Sequence, residues 1–170
     1  WLRAVRQTGG RGRRGRNWIA PEGNLTASTV VNLRAGDPAA HSLAFVAALA
    51  VHDVVTGELD PTRSGEDCVL KWPNDVLVDG AKICGILLER CGDSVVAGIG
   101  INVARAPEVP GRATTALHAH GCRSDAGAVL TQLAARFAVR LAQWRTDGLA
   151  AVLADWQRRA SSPGTPLLVT

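Results

Sequence analysis

The sequence predicts an α+β fold, a mixed but mostly antiparallel sheet flanked by helices, and three observations carry that expectation. Apolar, β-branched runs follow one another closely from Cys68 to Val103, with Asp79-Gly80 and Gly92-Asp93 as hairpin signals between them. Helical periodicity is confined to one segment after the first strand and to the carboxy-terminal third, so strands and helices are segregated rather than alternating. A length of 170 residues, 46% hydrophobic and 20% charged, suits one domain large enough to bury a core without staples.

Taken in order, Leu25 to Leu33 is rich in β-branched residues and reads as a strand. Asp37 then reads as a helix cap with Pro38 at the first helical position, because Leu43, Val46, Ala47, Ala50, Val51, Val54 and Val55 recur at helical spacing. Residues 60 to 67 turn polar, with Pro61, Ser64 and Gly65 marking a loop. Three strands follow: Cys68 to Trp72 continuing through Val76 to Val78, then Lys82 to Cys91, then Ser94 to Val103, joined as a meander. Arg105 to Gly111 is a proline-punctuated loop. Ser124 or Asp125 caps a long helix to about Thr146, and a shorter helix runs from Gly148 to about Ala160.

Charge is distributed unevenly. Arg3, Arg6, Arg11, Arg13, Arg14 and Arg16 give the first sixteen residues +6 in a chain whose net charge is +4, leaving −2 for the remainder. Between them lie Gly10, Gly12 and Gly15. Glycines without a Cβ let backbone N–H groups close on a ligand, and guanidinium forks match phosphate or carboxylate oxygens. A basic face that contacts RNA is the competing reading of the same run. The spacing formally satisfies GxGxxG, but Asn17, Trp18, Ala20, Pro21 and Gly23 follow where a dinucleotide fold needs a helix, and no Walker A lysine follows a glycine run.

Cys68, Cys84, Cys91 and Cys122 form no CxxC pair, so buried reduced thiols are expected and structural zinc is not; His118 and His120 near Cys122 make a weak metal pattern. No apolar run approaching a bilayer span and no signal-peptide layout is read from the sequence, which makes the cytoplasm the default. Methionine is absent, so Trp1 is read as the start of a fragment or a processed chain.

Three further segments could carry chemistry. Lys71-Trp72-Pro73-Asn74-Asp75 breaks a strand with a proline and is either an exposed corner or a cluster of functional groups. In the next strand, alternation puts Lys82, Cys84, Ile86 and Leu88 on one face and Ile83, Gly85, Leu87 and Glu89 on the other. Gly98 and Gly100 share a face of the third strand and leave a flat platform, with Asn102 at its far end able to hydrogen-bond a planar heterocycle; glycines that merely relieve twist are the bland alternative.

Together, "GRGRRGRNW" at 10–18, "KWPNDVLV" at 71–78, "KICGILLE" at 82–89, "GIGINV" at 98–103 and "RATTAL" at 112–117 closely resemble the catalytic core of biotin protein ligases, in order and in spacing. The resemblance implies the catalytic fold shared with class II aminoacyl-tRNA synthetases. It implies ATP-dependent activation of biotin to biotinyl-5'-AMP, followed by transfer to a lysine of a biotin carboxyl carrier protein of acetyl-CoA or a related carboxylase. By the same resemblance Lys82, Arg13 and Asp75 are catalytic, and Gln7, Arg11, Gly12, Arg13, Lys82 and Gly85 bind biotin. Arg16, Trp18, Asn74, Asn102, Arg112 and Ala113 bind ATP, with Trp18 packing over adenine and Asp75 holding magnesium. The implied domains are 1–160, a catalytic domain lacking its amino-terminal strand and helix, and 161–170, a linker and the first strand of a truncated β-barrel. No DNA-binding domain and no membrane association are expected; a homodimer is compatible. Cys84 stands where the family usually has a small residue such as alanine. A lipoate ligase of the same fold and a non-catalytic RNA-binding module are the alternatives.

Overall fold

In the computed structural model of the chain, residues 1–62 and 67–161 are described. Six strands, β1 (Leu2–Ala4), β2 (Leu25–Asn32), β3 (Cys68–Lys71), β4 (Asp75–Val78), β5 (Ala81–Cys91) and β6 (Ser94–Ile101), make one sheet in the order β1-β2-β6-β5-β4-β3. Every pairing between them is antiparallel. The mostly antiparallel α+β sheet expected from the sequence is what forms, and among the described residues parallel pairing is confined to isolated bridges, Leu70 with Ala160 and Lys82 with Thr114. The short turns that join β3 to β4, β4 to β5 and β5 to β6 permit no other geometry for those three pairs. Both hairpin signals hold, since Asp79 and Gly80 join β4 to β5 and Gly92 and Asp93 join β5 to β6. The segment read as one strand from Cys68 to Val78 is instead two, because the chain reverses at Trp72-Pro73-Asn74 and β3 pairs back on β4.

Three helices, α1 (Leu43–Glu58), α2 (Ala126–Thr146) and α3 (Gly148–Arg159), cover one face of the sheet: α1 packs on β3, β4 and β5, α2 on β2, and α3 on β3. The core between these layers includes Leu25, Leu49, Val51, Ile83, Ile101, Leu133 and Trp144, all fully or almost fully buried. Residues 40–58 are long and apolar enough to cross a bilayer, with mean hydropathy 1.4, which corrects the expectation that no run approaches that length. More than half of that stretch is buried inside the fold.

Two helix starts show how tertiary partners act on local signals. Asp125 caps α2 as expected, accepting from the N–H groups of Gly127 and Ala128 at 2.8 Å. Asp37 does not cap α1: its carboxylate accepts from Arg34 N and pairs with Arg145 of α2, and α1 begins at Leu43 after a single 3-10 turn. Across the three helices, Arg140 of α2 holds Asp53 of α1 through two hydrogen bonds of 2.8 and 3.0 Å and Asp155 of α3 through a third of 2.8 Å. The expected linker and barrel strand at 162–170 lie outside the described residues, as do Ser64 and Gly65 of the expected loop.

Candidate functional site

The sheet face away from the helices bounds a cavity of about 770 Å³. Its wall is strongly cationic: Arg11, Arg13, Arg14, Arg16, Lys71, Lys82 and Arg112 face only two carboxylates, Asp75 and Glu89.

The centre of the site is built by the β3–β4 turn and a bulge. Asn74 clamps the turn to β5, its carbonyl accepting from Ile86 N at 3.0 Å and its Nδ2 donating to Ile86 O at 3.2 Å. Along β4–β5, Val76 pairs with Cys84 while the next residue, Leu77, pairs with Lys82, so Ile83 is the extra residue of a bulge. The bulge overturns the expected alternation. Lys82 and Gly85 come to the same side, a Cβ on Gly85 lying 3.3 Å from Lys82 Nζ, while Ile83 and Cys84 are both buried in the core. Lys82 Nζ thereby reaches Asp75 Oδ1 at 2.6 Å, with the two side chains only 12% and 11% exposed. Arg112 approaches the other oxygen of Asp75 at 3.5 Å.

A strap from 112 to 115 holds this arrangement. Lys82 N donates to Ala113 O at 2.9 Å and Thr115 N donates to Lys82 O at 3.0 Å. Ala113 thus acts through its backbone and does not line the cavity. Asn102 is buried; its Nδ2 donates to Thr115 O at 2.9 Å, so the amide expected to read a heterocycle is bonded to the strap, although the residue does border the cavity.

The arginine loop folds back on itself as a small hairpin over the cavity. Gly12 N donates to Arg16 O at 2.7 Å, Trp18 N donates to Gly10 O at 2.9 Å, and Arg11 bridges to Asn17. Arg14 and Gly15 form the tip with φ of 57° and 71°. Gly10 is required at the closure, since a Cβ there would collide with the Trp18 carbonyl. The closure delivers the Trp18 indole onto Gly85 and Gly100, which face each other across β5 and β6. The floor that the indole covers is the cross-strand pair Gly85 and Gly100, not the Gly98 and Gly100 pair expected from β6 alone, since a Cβ on Gly98 would meet Leu87 O and Ser28 instead. Lys82 Nζ lies 5.5 Å from the ring centroid, and the buried Trp18 Nε1 has no hydrogen-bond partner.

The structure therefore brings Gln7, Arg11, Gly12, Arg13, Arg16, Trp18, Asn74, Asp75, Lys82, Gly85, Asn102 and Arg112 to one cavity. Asp75 has one oxygen on Lys82 and the other facing Arg112, and among the described residues no cluster of three or more His, Cys, Asp or Glu could hold a metal ion. The donor set does not fit a resident magnesium ion. Trp72, inside the turn segment singled out above, lines the cavity, is 48% exposed and stacks on Phe45. Sequence reasoning missed the wall residues Pro107, Val109 and Pro110. It also missed Asn24, whose only sequence signal is a Gly-Asn pair at the start of β2.

Residues 3–104 match the biotin/lipoate A/B protein ligase family. The chain belongs to this family. Membership of the biotin/lipoate ligases spans the arginine loop, α1 and the β3–β6 meander, whereas Arg112 and its strap lie beyond the matched segment. The biotin--[acetyl-CoA-carboxylase] ligase of Paracoccus denitrificans is 39% identical over 180 residues, covering 99% of this chain and 73% of the relative. That of Mycobacterium tuberculosis is 36% identical over 99% of this chain, which spans 63% of the relative's length. The biotin protein ligase of Aquifex aeolicus solved in complex with biotin and ATP superposes with a TM-score of 0.79 at 30% identity, over 94% of this chain and 67% of that one.

Proposed function

We propose that this protein activates biotin with ATP and transfers it to a lysine of a biotin carboxyl carrier domain of acetyl-CoA carboxylase or a related enzyme. The observation that carries the reading is the convergence of the arginine hairpin, the Lys82–Asp75–Arg112 cluster and the glycine floor on one cavity. Both curated relatives compared above are biotin ligases by name, and the Aquifex aeolicus structure holds biotin and ATP, which favours biotin over lipoate. Because Arg11, Arg13, Arg14 and Arg16 line the cavity, the same facts weigh against a free-standing RNA-binding face.

The chemistry explains the residue types. An oxygen of the biotin carboxylate attacks the α-phosphorus of ATP, a mixed anhydride forms and pyrophosphate leaves. One anion must approach another, so fixed positive charge lowers the barrier. Lys82 and Arg112 supply it from the sheet side and Arg13 from the loop. Asp75 holds the Lys82 amine in place while leaving it further protons to donate. In the second step the neutral carrier amine attacks the anhydride carbonyl and AMP departs, so no enzyme nucleophile is required. Gln7, Arg11, Gly12 and Gly85 border the biotin end in this reading, and Arg16, Trp18, Asn74 and Asn102 the nucleotide end. Any magnesium would arrive with the nucleotide, not as an ion resident on Asp75. Four free cysteines fit a reducing compartment such as the cytoplasm.

The test is adenylate formation from biotin and α-labelled ATP. The unsubstituted protein is expected to form biotinyl-AMP, and Lys82→Ala to lose at least about a hundredfold in rate while still folding, the usual loss when one preorganised charge is removed. An unsubstituted protein that forms no adenylate yet binds RNA in a salt-dependent manner would overturn the reading in favour of the nucleic-acid module.

A further inference from the structure

Asn24 lies at the start of β2, is 5% exposed and does not line the cavity, yet it makes a dense set of contacts to the chain leaving β6. Its Oδ1 accepts from three consecutive N–H groups, Val103 at 3.1 Å, Ala104 at 3.0 Å and Arg105 at 3.1 Å. Its Nδ2 donates to Arg105 O at 2.7 Å and to Asn102 Oδ1 at 3.4 Å. Gly23 before it takes φ of 89°, and the backbone there runs so close to Ala104 that a Cβ would sit 2.7 Å from the alanine methyl. One carboxamide therefore fixes the point where the strand ends and the loop 105–111 begins.

That loop forms a wall of the cavity through Pro107, Val109, Pro110 and Gly111, and it leads directly to Arg112. Its far side is held by Thr114 Oγ1, which donates to Pro107 O at 2.6 Å, and by the bridge between Val109 and Arg112. Asn102, the other carboxamide in contact with Asn24, in turn holds the strap at Thr115. Three consecutive N–H groups, the first of them on buried Val103, thus share one side-chain oxygen that holds them at fixed geometry.

We propose that Asn24 is a positioning residue for the nucleotide end of the site: by holding residues 103–105 and Asn102 it sets the wall loop and Arg112 in the geometry that receives ATP, without touching substrate. The inference rests on the adenylation reading above and deepens it: the direct contacts of Asn24 all fall on residues 102–105, next to the wall loop that leads to Arg112.

The experiment compares KM for ATP in biotinyl-AMP formation with biotin affinity measured by calorimetry in the absence of nucleotide. Asn24→Ala is expected to raise KM for ATP about tenfold, the scale of losing one to two net hydrogen bonds, and to leave biotin affinity within about twofold. Asn24→Asp keeps an acceptor for the three N–H groups but turns the donor facing Arg105 O into a second acceptor, and is likewise expected to raise KM for ATP without changing biotin affinity. An unchanged KM for ATP, or a parallel loss of ATP and biotin binding, overturns the assignment, the second outcome marking a merely structural residue. Should Asn24→Ala fail to fold, Asn24→Asp decides alone by the same criterion. Failure of the unsubstituted protein to adenylate biotin overturns the functional reading and this inference with it, whereas an active wild type with an ATP-indifferent Asn24 variant overturns only the inference.

Discussion

Lys82 and Asp75 illustrate what a half-hidden ion pair is for. Desolvating both groups offsets most of their attraction, so the pair adds little net stability, and its value lies in fixing the amine. The cysteines are the opposite case, with chemistry suppressed by their surroundings. Burial pushes the Cys84 thiol up, and burial together with the Glu58 carboxylate at 2.9 Å pushes Cys122 up to about 11. Cys68 is likewise pushed up to about 11, mainly by burial. Cys91, at the end of β5, is exposed. Iodoacetamide at pH 8 is therefore expected to label Cys91 alone in the folded protein and all four thiols in denaturant, a pattern read by peptide mass spectrometry; early labelling of Cys84 would contradict its burial. The sequence expectation of buried thiols holds for Cys84 and Cys122 but not for Cys91, because the hairpin turn carries that position beyond the helices.

At the scale of elements, the hairpin 10–18 is seated on the sheet by the Trp18 indole and by the Arg11–Glu89 ion pair. The Trp18 indole on Gly85 and Gly100 buries a large flat surface, opposed by the cost of its unpaired Nε1, about 1–3 kcal/mol for a buried donor. Gly100→Ala would thrust a methyl group into the ring, so the hairpin should lift and trypsin should cleave at Arg11 to Arg16 several-fold faster, with the rest of the domain intact. An unchanged cleavage rate would show that the indole does not hold the loop. Strands and helices with strong periodicity or caps, such as β2, β5 and α2, were legible within a residue or two. β1 was not, since three residues offer no pattern, and the bulge at Ile83 was not, since periodicity assumes an unbroken ladder.

On the scale of the whole molecule, helices tied to one face of the sheet leave the other free for the cavity. The ties predict an acid-sensitive fold. His52 on α1 has its pKa lowered from the ordinary value of 6.5, chiefly by burial, and bonds Cys68 O of β3 at 3.0 Å through Nε2. Its neutral form is the folded one, so that contribution to stability is complete above pH 6.5 and is lost as pH falls toward the lowered value. Burial opposes ionisation of Asp155, but hydrogen bonds from Gln143 and the charge of Arg140 outweigh it and hold the pKa below 3.8. Its contribution is complete above that value and is lost as pH falls through the lowered one. The melting temperature should thus fall between pH 7.5 and 5.5 in the wild type and fall less in His52→Gln, which keeps a donor for Cys68 O. Parallel slopes in the two proteins would remove His52 as the cause.

The sequence by itself determined the antiparallel meander, the long carboxy-terminal helices, the concentration of arginines at one end and the residue types that could handle an anionic ligand. Turn chemistry, capping and alternation act within a few residues, so they can be read along the chain. Only the tertiary structure decided that Lys82 shares a side with Gly85, that Gly85 and Gly100 receive Trp18, that Asn102 bonds the strap and that Asn24 bonds N–H groups 79 to 81 residues away. Those outcomes depend on which groups meet after the sheet has closed, and local propensity carries no information about partners so distant in the chain.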